Sequence, residues 1–129
     1  MLIKLTQQQI LELHDYVLQK HGGLLGVREP GYLDLIVEKP FTEYYGEEQY
    51  PGLFTKAAVY WHGLAKAYCF SDGNKRTAIM TALVFLELNG FELEATGDEL
   101  FETAIKVATS EMSLHELAVW IENFVSGTR

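Results

Sequence analysis

The sequence has a single cysteine, no long apolar run and few basic residues. Cys69 alone cannot form an intramolecular disulfide, which fits a protein of the reducing cytoplasm. No apolar stretch approaches the roughly 20 residues that span a bilayer, so we expect no membrane segment. Ten Lys and Arg residues stand against eighteen Asp and Glu residues, which gives a formal net charge of −8. Because binding to a nucleic-acid backbone needs clustered Lys and Arg, we predict no direct nucleic-acid binding, and any basic charge that matters is local.

The remaining composition is that of an ordinary folded protein, with 48% apolar and 22% charged residues. Its length predicts a single domain over residues 1–129. Three capping boxes mark helix starts at Thr6, Thr96 and Ser113, each with Gln or Glu three residues later. Helical spacing of apolar residues predicts further helices over 32–38, 53–67 and 74–89.

These patterns together predict an all-α domain, a bundle of about six helices. The segment 74–89 is apolar around so much of its circumference that its helix should be central. Residues 41–52 are the least helical stretch, since Gly46, Pro51 and Gly52 stand there among four aromatic residues. They predict a short hairpin or an ordered surface loop.

One loop between two predicted helices is suited to holding phosphate. We call it the motif loop, residues 70–77, with the sequence Phe70-Ser71-Asp72-Gly73-Asn74-Lys75-Arg76-Thr77. Gly73 can adopt backbone angles that are closed to other residues, and the first amides of the helix after it lack acceptors within the helix. Those amides and the helix dipole form an anion site. The predicted phosphate-binding residues are Gly73, Asn74, Lys75 and Arg76.

Charged and aromatic neighbours complete this prediction. The dipole disfavours Lys75 and Arg76 in the first helical turn unless a polyanion compensates them. Asp72 is the carboxylate beside these groups and is the candidate Mg²⁺ ligand, because Mg²⁺ commonly bridges a carboxylate to phosphate oxygens. Phe70 is predicted to anchor the turn in the core. The alternative is that Ser71 and Asp72 merely cap a helix while the two cations are solvated.

The motif loop resembles the signature of the Fic superfamily, specifically its death-on-curing (Doc) branch, with the pattern His-x-Phe-x-Asp-(Gly/Ala)-Asn-Lys-Arg-Thr. The resemblance covers nearly the whole chain. The other matching stretches are Gly22-Gly23, Gly26-Val27-Arg28, Lys56-Ala57-Ala58 and Phe85-Leu86-Glu87-Leu88-Asn89-Gly90. It implies a Fic/Doc-like helical bundle and a toxin of a bacterial or phage toxin–antitoxin pair.

The resemblance also implies a reaction. Doc-like toxins transfer a phosphoryl group from ATP or another nucleoside triphosphate to a threonine of elongation factor Tu, which stops translation. Most other Fic proteins transfer AMP to a hydroxyl group instead. Lys75 stands where that AMP-transferring branch usually has Gly, and Ile79 stands where it usually has a second Arg. Both differences favour the Doc-like reaction, so Lys75, Arg76 and Asp72 are expected at the catalytic centre.

The catalytic His of the family is replaced by Tyr68. The family His is understood as the general base that takes the proton from the attacking hydroxyl. An imidazole has an ordinary pKa of about 6.5 and suits this role, whereas a phenol, with an ordinary pKa of about 10, stays protonated at neutral pH. Because loss of a positioned base typically lowers the rate by about 10²–10⁴, we predict that the chain is impaired or inactive.

Three explanations for Tyr68 remain open: a natural pseudo-enzyme, an inactivating change selected or engineered against toxicity, and an altered chemistry. We favour the second, since His and Tyr codons differ by one base. The competing functions are therefore an impaired Doc-type toxin, a non-catalytic pseudo-Fic binding module and an AMP transferase. His14, His21 and His115 show no metal-ligand spacing, so a surface or core role is predicted for each.

The resemblance finally implies partners. In Doc systems the antitoxin has a disordered tail that folds as a helix into a groove of the toxin. Elongation factor Tu is the implied target. Tyr44, Tyr45 and Tyr50 fall in the segment that the resemblance assigns to a target-positioning flap, although local packing explains them equally well.

Overall fold

The computed structural model describes residues 1–127 and shows a bundle of six α-helices. The helices are α1 (Gln7–His21), α2 (Pro30–Glu38), α3 (Leu53–Lys66), α4 (Asn74–Leu88), α5 (Gly97–Ala108) and α6 (Leu114–Phe124). A 3₁₀ turn, Lys39–Phe41, follows α2. The predicted all-α class is thus confirmed, and the central helices lie where the apolar periodicity indicated.

Capping residues fix the starts of three helices as predicted. Thr6, Thr96 and Ser113 each accept a hydrogen bond from the backbone N–H three residues later, and the Gln or Glu there bonds back to the cap. Helix α1 ends at Gly22, whose N–H bonds to the carbonyl of Leu18. These local bonds explain why the boundaries could be located from the sequence.

Helices α3 and α4 form the centre of the bundle. They make the most extensive contact of any two elements, and α3 also packs along α6. The largest side chains with almost no exposed surface come from all parts of this core: Trp61, Tyr60, Phe70, Phe85, Leu5, Ile10, Leu33, Leu64, Leu86, Leu117 and Ile121. Because α3 and α4 are consecutive and closely packed, the turn between them is held from both sides.

The hairpin predicted around 41–52 is confirmed and is very short. Strand β1 (Glu43–Tyr44) pairs antiparallel with β2 (Glu47–Glu48). The buried Lys56 of α3 ties it to the bundle, since its Nζ lies 2.6 Å from Oε1 of Glu48 and donates to the carbonyl of Tyr50 at 2.5 Å.

The position of this hairpin does not support the flap assignment of Tyr44, Tyr45 and Tyr50. Lys56 lies in the first turn of α3, whereas the motif loop begins after the last turn. At 1.5 Å per residue, the ten residues from Lys56 to the end of α3 at Lys66 separate the two by about 15 Å. The hairpin therefore lies at the opposite end of α3 from the motif loop.

A second two-stranded ribbon joins the segment after α4 to the segment after α6. Strand β3 (Glu92–Leu93) pairs antiparallel with β4 (Val125–Ser126). This pairing could not be predicted from the sequence, because a two-residue strand has no periodicity to read. Within residues 1–127, none of the helices has both the length and the hydrophobicity that crossing a membrane requires.

Candidate phosphate-binding site

The N-terminus of α4 is open towards solvent. Gly73 is its N-cap residue and has φ 78° and ψ 15°, a left-handed conformation that a residue with a Cβ adopts at a cost. No side chain within the described chain caps this helix start. The first backbone amides of α4 therefore lack a capping side chain, and their predicted role in anion binding stays a prediction.

Asn74 holds the motif loop in shape. Its Oδ1 accepts from the backbone N–H of Phe70 at 3.1 Å, and its Nδ2 donates to the carbonyl of Phe70 at 3.0 Å. The side-chain amide is thus occupied within the loop. A phosphate would meet the main-chain N–H of Asn74 rather than its side chain.

Phe70 lies in the core, as an anchor of the loop requires. It is 1% exposed, and its backbone forms an isolated antiparallel bridge with Val27. Its ring stacks on that of His14, with centroids 3.7 Å apart and planes 9° apart. The loop is therefore fixed from inside by an aromatic pair.

Asp72 is exposed, and both of its carboxylate oxygens meet backbone amides. Oδ1 accepts from the N–H of Gly73 at 2.9 Å, and Oδ2 accepts from the N–H of Leu24 at 3.2 Å. Gly23 allows this approach, because a Cβ on Gly23 would lie 2.8 Å from Oδ2. Asp72 thus connects the motif loop to the segment that follows α1.

The donor set around Asp72 fits a magnesium ion that arrives with phosphates. No group of three or more His, Cys, Asp or Glu residues within residues 1–127 is arranged to hold a metal alone. Each carboxylate oxygen of Asp72 accepts one hydrogen bond and retains a second lone pair. Mg²⁺ typically takes one or two carboxylates, several waters and substrate phosphate oxygens, so one exposed carboxylate is sufficient.

Lys75 and Arg76 are exposed in the first turn of α4. The salt bridges found among residues 1–127 involve neither side chain. Within that part of the chain, their charges are therefore uncompensated by carboxylates beside an open helix start, the arrangement that the sequence indicated for polyanion binding. Ile79, one turn further on, is partly buried and packs against the core.

Tyr68 precedes the motif loop in an unusual conformation. Its φ is 51°, and 57% of its surface is exposed. It borders a surface cavity of about 450 Å³, which Arg28 and Lys66 also line. Position 68 therefore faces solvent, at a cavity whose lining includes no residue of the motif loop. Histidine occurs at positive φ several times more often than most residues, so the backbone here suits the family His.

The segment that follows α1 is hydrogen-bonded to the motif loop and to the residue just before it. We call residues 22–29 the covering segment. The N–H of Ser71 donates to the carbonyl of Gly26 at 3.1 Å, and the carbonyl of Cys69 accepts from the N–H of Arg28 at 2.7 Å and from that of Glu29 at 3.0 Å. This segment, rather than the hairpin at 43–48, lies against the candidate site.

His14 is the site residue that the sequence reasoning did not single out. It was predicted only to have a surface or core role, and it is buried, with Nε2 2.8 Å from the carbonyl oxygen of Asp72. The sequence contained a signal for the burial of His14. Residues 10, 14, 17 and 18 share one face of α1, and the three residues on that face besides His14 are apolar and buried.

The chain is similar to known proteins over most of its length. Residues 4–86 match the Fic/DOC family. The chain is 37% identical over 110 residues to the protein "Toxin Doc" of Mycolicibacterium smegmatis, covering 84% of this chain and 85% of that protein. It is 32% identical over 114 residues to "Protein kinase doc" of Escherichia phage P1, covering 88% of this chain and 89% of that protein.

Proposed function

Because this chain belongs to the Fic/DOC family, we propose that it is a Doc-type toxin that transfers a phosphoryl group from ATP, or another nucleoside triphosphate, to a protein hydroxyl. The observation that carries the proposal is the uncapped N-terminus of α4 behind the left-handed Gly73, with Lys75 and Arg76 exposed in its first turn. Such a helix start binds phosphate through its amides and its dipole.

Different residues of the motif loop have different roles in binding. The first amides of α4 and the side chains of Lys75 and Arg76 hold the triphosphate. The Asp72 carboxylate would hold Mg²⁺. The bound ion supplies neutralisation of phosphate charge. Asn74 and Phe70 contribute indirectly, by keeping the loop in the conformation that exposes these groups.

The transfer itself needs a proton acceptor at position 68. The hydroxyl oxygen of the target attacks the terminal phosphorus, the bond to the bridging oxygen breaks, and the hydroxyl proton must leave. The nucleoside diphosphate departs as the second product. A phenol at position 68 offers no comparable base, so we expect the chain to be slower than its histidine form by about 10²–10⁴. Nucleotide binding does not require that base and is retained.

We further propose a threonine of elongation factor Tu as the target and a cognate antitoxin as the regulator. The names of both relatives indicate a toxin or a kinase of Doc type. The antitoxin would carry a disordered tail that becomes helical in a groove of this protein. We place this reaction in the cytoplasm, because a protein with a single free cysteine fits a reducing compartment.

Expression in cells that lack the antitoxin tests this proposal. The Tyr68→His protein should arrest growth and translation, and Tyr68→Phe serves as the matched control because it keeps the ring without an imidazole. We expect the chain with Tyr68 and the Tyr68→Phe variant to be tolerated equally. Normal growth and translation with Tyr68→His, at equal protein levels, would count against a toxin whose base has been lost.

Tyr68 itself supports a second candidate, a non-catalytic binding module that holds nucleotide or protein through the same site. This candidate also predicts ATP binding, but Tyr68→His would then leave every candidate target unmodified. An AMP transferase would be recognised by the mass added to the target, which would be that of AMP rather than of a phosphoryl group.

A further inference from the structure

His14 lies directly beneath the motif loop. It is 3% exposed and projects from the buried face of α1, together with Val17 and Leu18. A polar side chain so fully removed from solvent is costly to bury unless it makes a hydrogen bond. The partner of this imidazole lies in the motif loop.

The imidazole contacts the motif loop at successive points. A carbonyl oxygen can only accept, so Nε2 of His14 carries a hydrogen and donates to the carbonyl of Asp72 at 2.8 Å. The ring stacks on Phe70 with centroids 3.7 Å apart. A Cβ placed on Gly73 would lie 3.6 Å from Cδ2 of His14, so the ring also reaches the N-cap of α4.

These contacts fix one peptide unit of the site. The peptide between Asp72 and Gly73 has its carbonyl bound to His14 and its N–H bound to Oδ1 of Asp72. Rotation of that peptide would break both bonds, redirect the carboxylate and change the entry of the chain into α4. An apolar side chain of similar size would fill the space but would leave the carbonyl unheld.

We propose that His14 is a positioning residue for the anion site. By holding the Asp72–Gly73 peptide, it keeps the Asp72 carboxylate and the first amides of α4 pre-arranged for a nucleotide. This role rests on the proposed function for its consequence, since it concerns the same triphosphate site. Its structural part, a pre-arranged loop, is measurable without nucleotide.

The test uses the chain with Tyr68, which binds without turnover. His14→Phe keeps an aromatic ring but removes the donor, and His14→Gln keeps a donor nitrogen but removes the ring. Ile10→Val is the control, because it alters the same buried face of α1 one turn away. Calorimetric titration with ATP and Mg²⁺ measures binding, and hydrogen exchange of the hydrogen-bonded amides of Phe70, Ser71, Gly73 and Thr77 measures loop order in the free protein.

We expect His14→Phe to weaken ATP binding about tenfold, the factor that corresponds to one lost hydrogen bond of about 1.4 kcal/mol. Exchange at the hydrogen-bonded amides of the motif loop should accelerate more than in α3. His14→Gln should recover both properties, and Ile10→Val should leave them unchanged. If His14→Phe does not fold, His14→Leu replaces it as the variant without a donor.

The outcomes separate the two proposals. The role of His14 would be overturned if the variants without the donor matched Ile10→Val in ATP binding and in hydrogen exchange. It would also be overturned if His14→Gln recovered neither property. If the parent chain binds no ATP, the proposed function fails. The exchange data then decide on His14 alone.

Discussion

Replacing Gly23 by Ala would place a methyl group in steric conflict with the Asp72 carboxylate. Gly23 has φ +128°, a conformation that residues with a side chain rarely adopt. Its new Cβ would lie 2.8 Å from Oδ2 of Asp72 and 3.0 Å from Cδ2 of Leu18. Since both distances are below normal contact, the carboxylate has to move away from the N–H of Leu24, from which it accepts a hydrogen bond at 3.2 Å.

The size of the effect follows from two contributions. Backbone strain at positive φ costs about 1–3 kcal/mol. Loss of the hydrogen bond between Asp72 and Leu24 adds about 1 kcal/mol, because an exposed carboxylate regains water in exchange. We therefore expect a loss of about 2–4 kcal/mol in the free energy of unfolding. Displacing the carboxylate from its place beside the anion site should weaken binding of ATP with Mg²⁺ about fivefold, which corresponds to about 1 kcal/mol.

Gly22→Ala is the matched control. Gly22 has φ +73°, and a Cβ added there would meet no atom of residues 1–127 within 4 Å, so this substitution introduces strain without contact to Asp72. Urea denaturation and ATP titration of both variants separate stability from binding. We expect both to lose stability and only Gly23→Ala to lose affinity. Equal ATP affinity in the two variants would refute the assignment of Asp72 to nucleotide binding.

Three further changes test separate parts of the structure. Asn74→Ala removes two hydrogen bonds to Phe70, and we expect urea denaturation to show a loss of about 1–3 kcal/mol. Glu48→Gln leaves the buried Lys56 ammonium without its carboxylate, so it should cost about 2–4 kcal/mol, more than Lys56→Met, which removes the charge itself. Burial raises the pKa of the Cys69 thiol from 9.0 to about 11, so its contribution to stability should persist below pH 9.0 and disappear as the pH rises through about 11, as measured by urea midpoints.

Each of these predictions has an outcome that contradicts it. An Asn74→Ala protein as stable as the parent would show that its bonds to Phe70 do not hold the loop. A Lys56→Met protein less stable than Glu48→Gln would mean that the ion pair contributes more than the burial of the charge costs. For the thiol, Cys69→Ala is the control, and an unchanged alkaline decline in that variant would assign the decline to other groups.

The helices could be predicted because their signals are local. Thr6, Thr96 and Ser113 each cap a helix through residues only three positions away, and a glycine ends α1. The candidate anion site could likewise be proposed from the sequence, since a Gly followed by two cations at a helix start is a contiguous pattern. These parts needed no knowledge of the tertiary fold.

The remaining features depend on residues far apart in the chain. The bond between Asp72 and Leu24 spans 48 positions, and that between His14 and Asp72 spans 58. No periodicity encodes such a pairing, so the contact of the covering segment with the motif loop could not be predicted from the sequence. The hairpin was predicted correctly in place, but its distance from the site depends on the direction of α3, which only the fold reveals.

The most direct test of the proposed reaction is mass spectrometry of purified elongation factor Tu after incubation with ATP, Mg²⁺ and either form of this protein. We predict that Tyr68→His adds a phosphoryl group to a threonine, and that the chain with Tyr68 does so about 10²–10⁴ times more slowly or below detection. Elongation factor Tu that stays unmodified by a Tyr68→His protein able to bind ATP, or that gains AMP instead, would contradict the proposal.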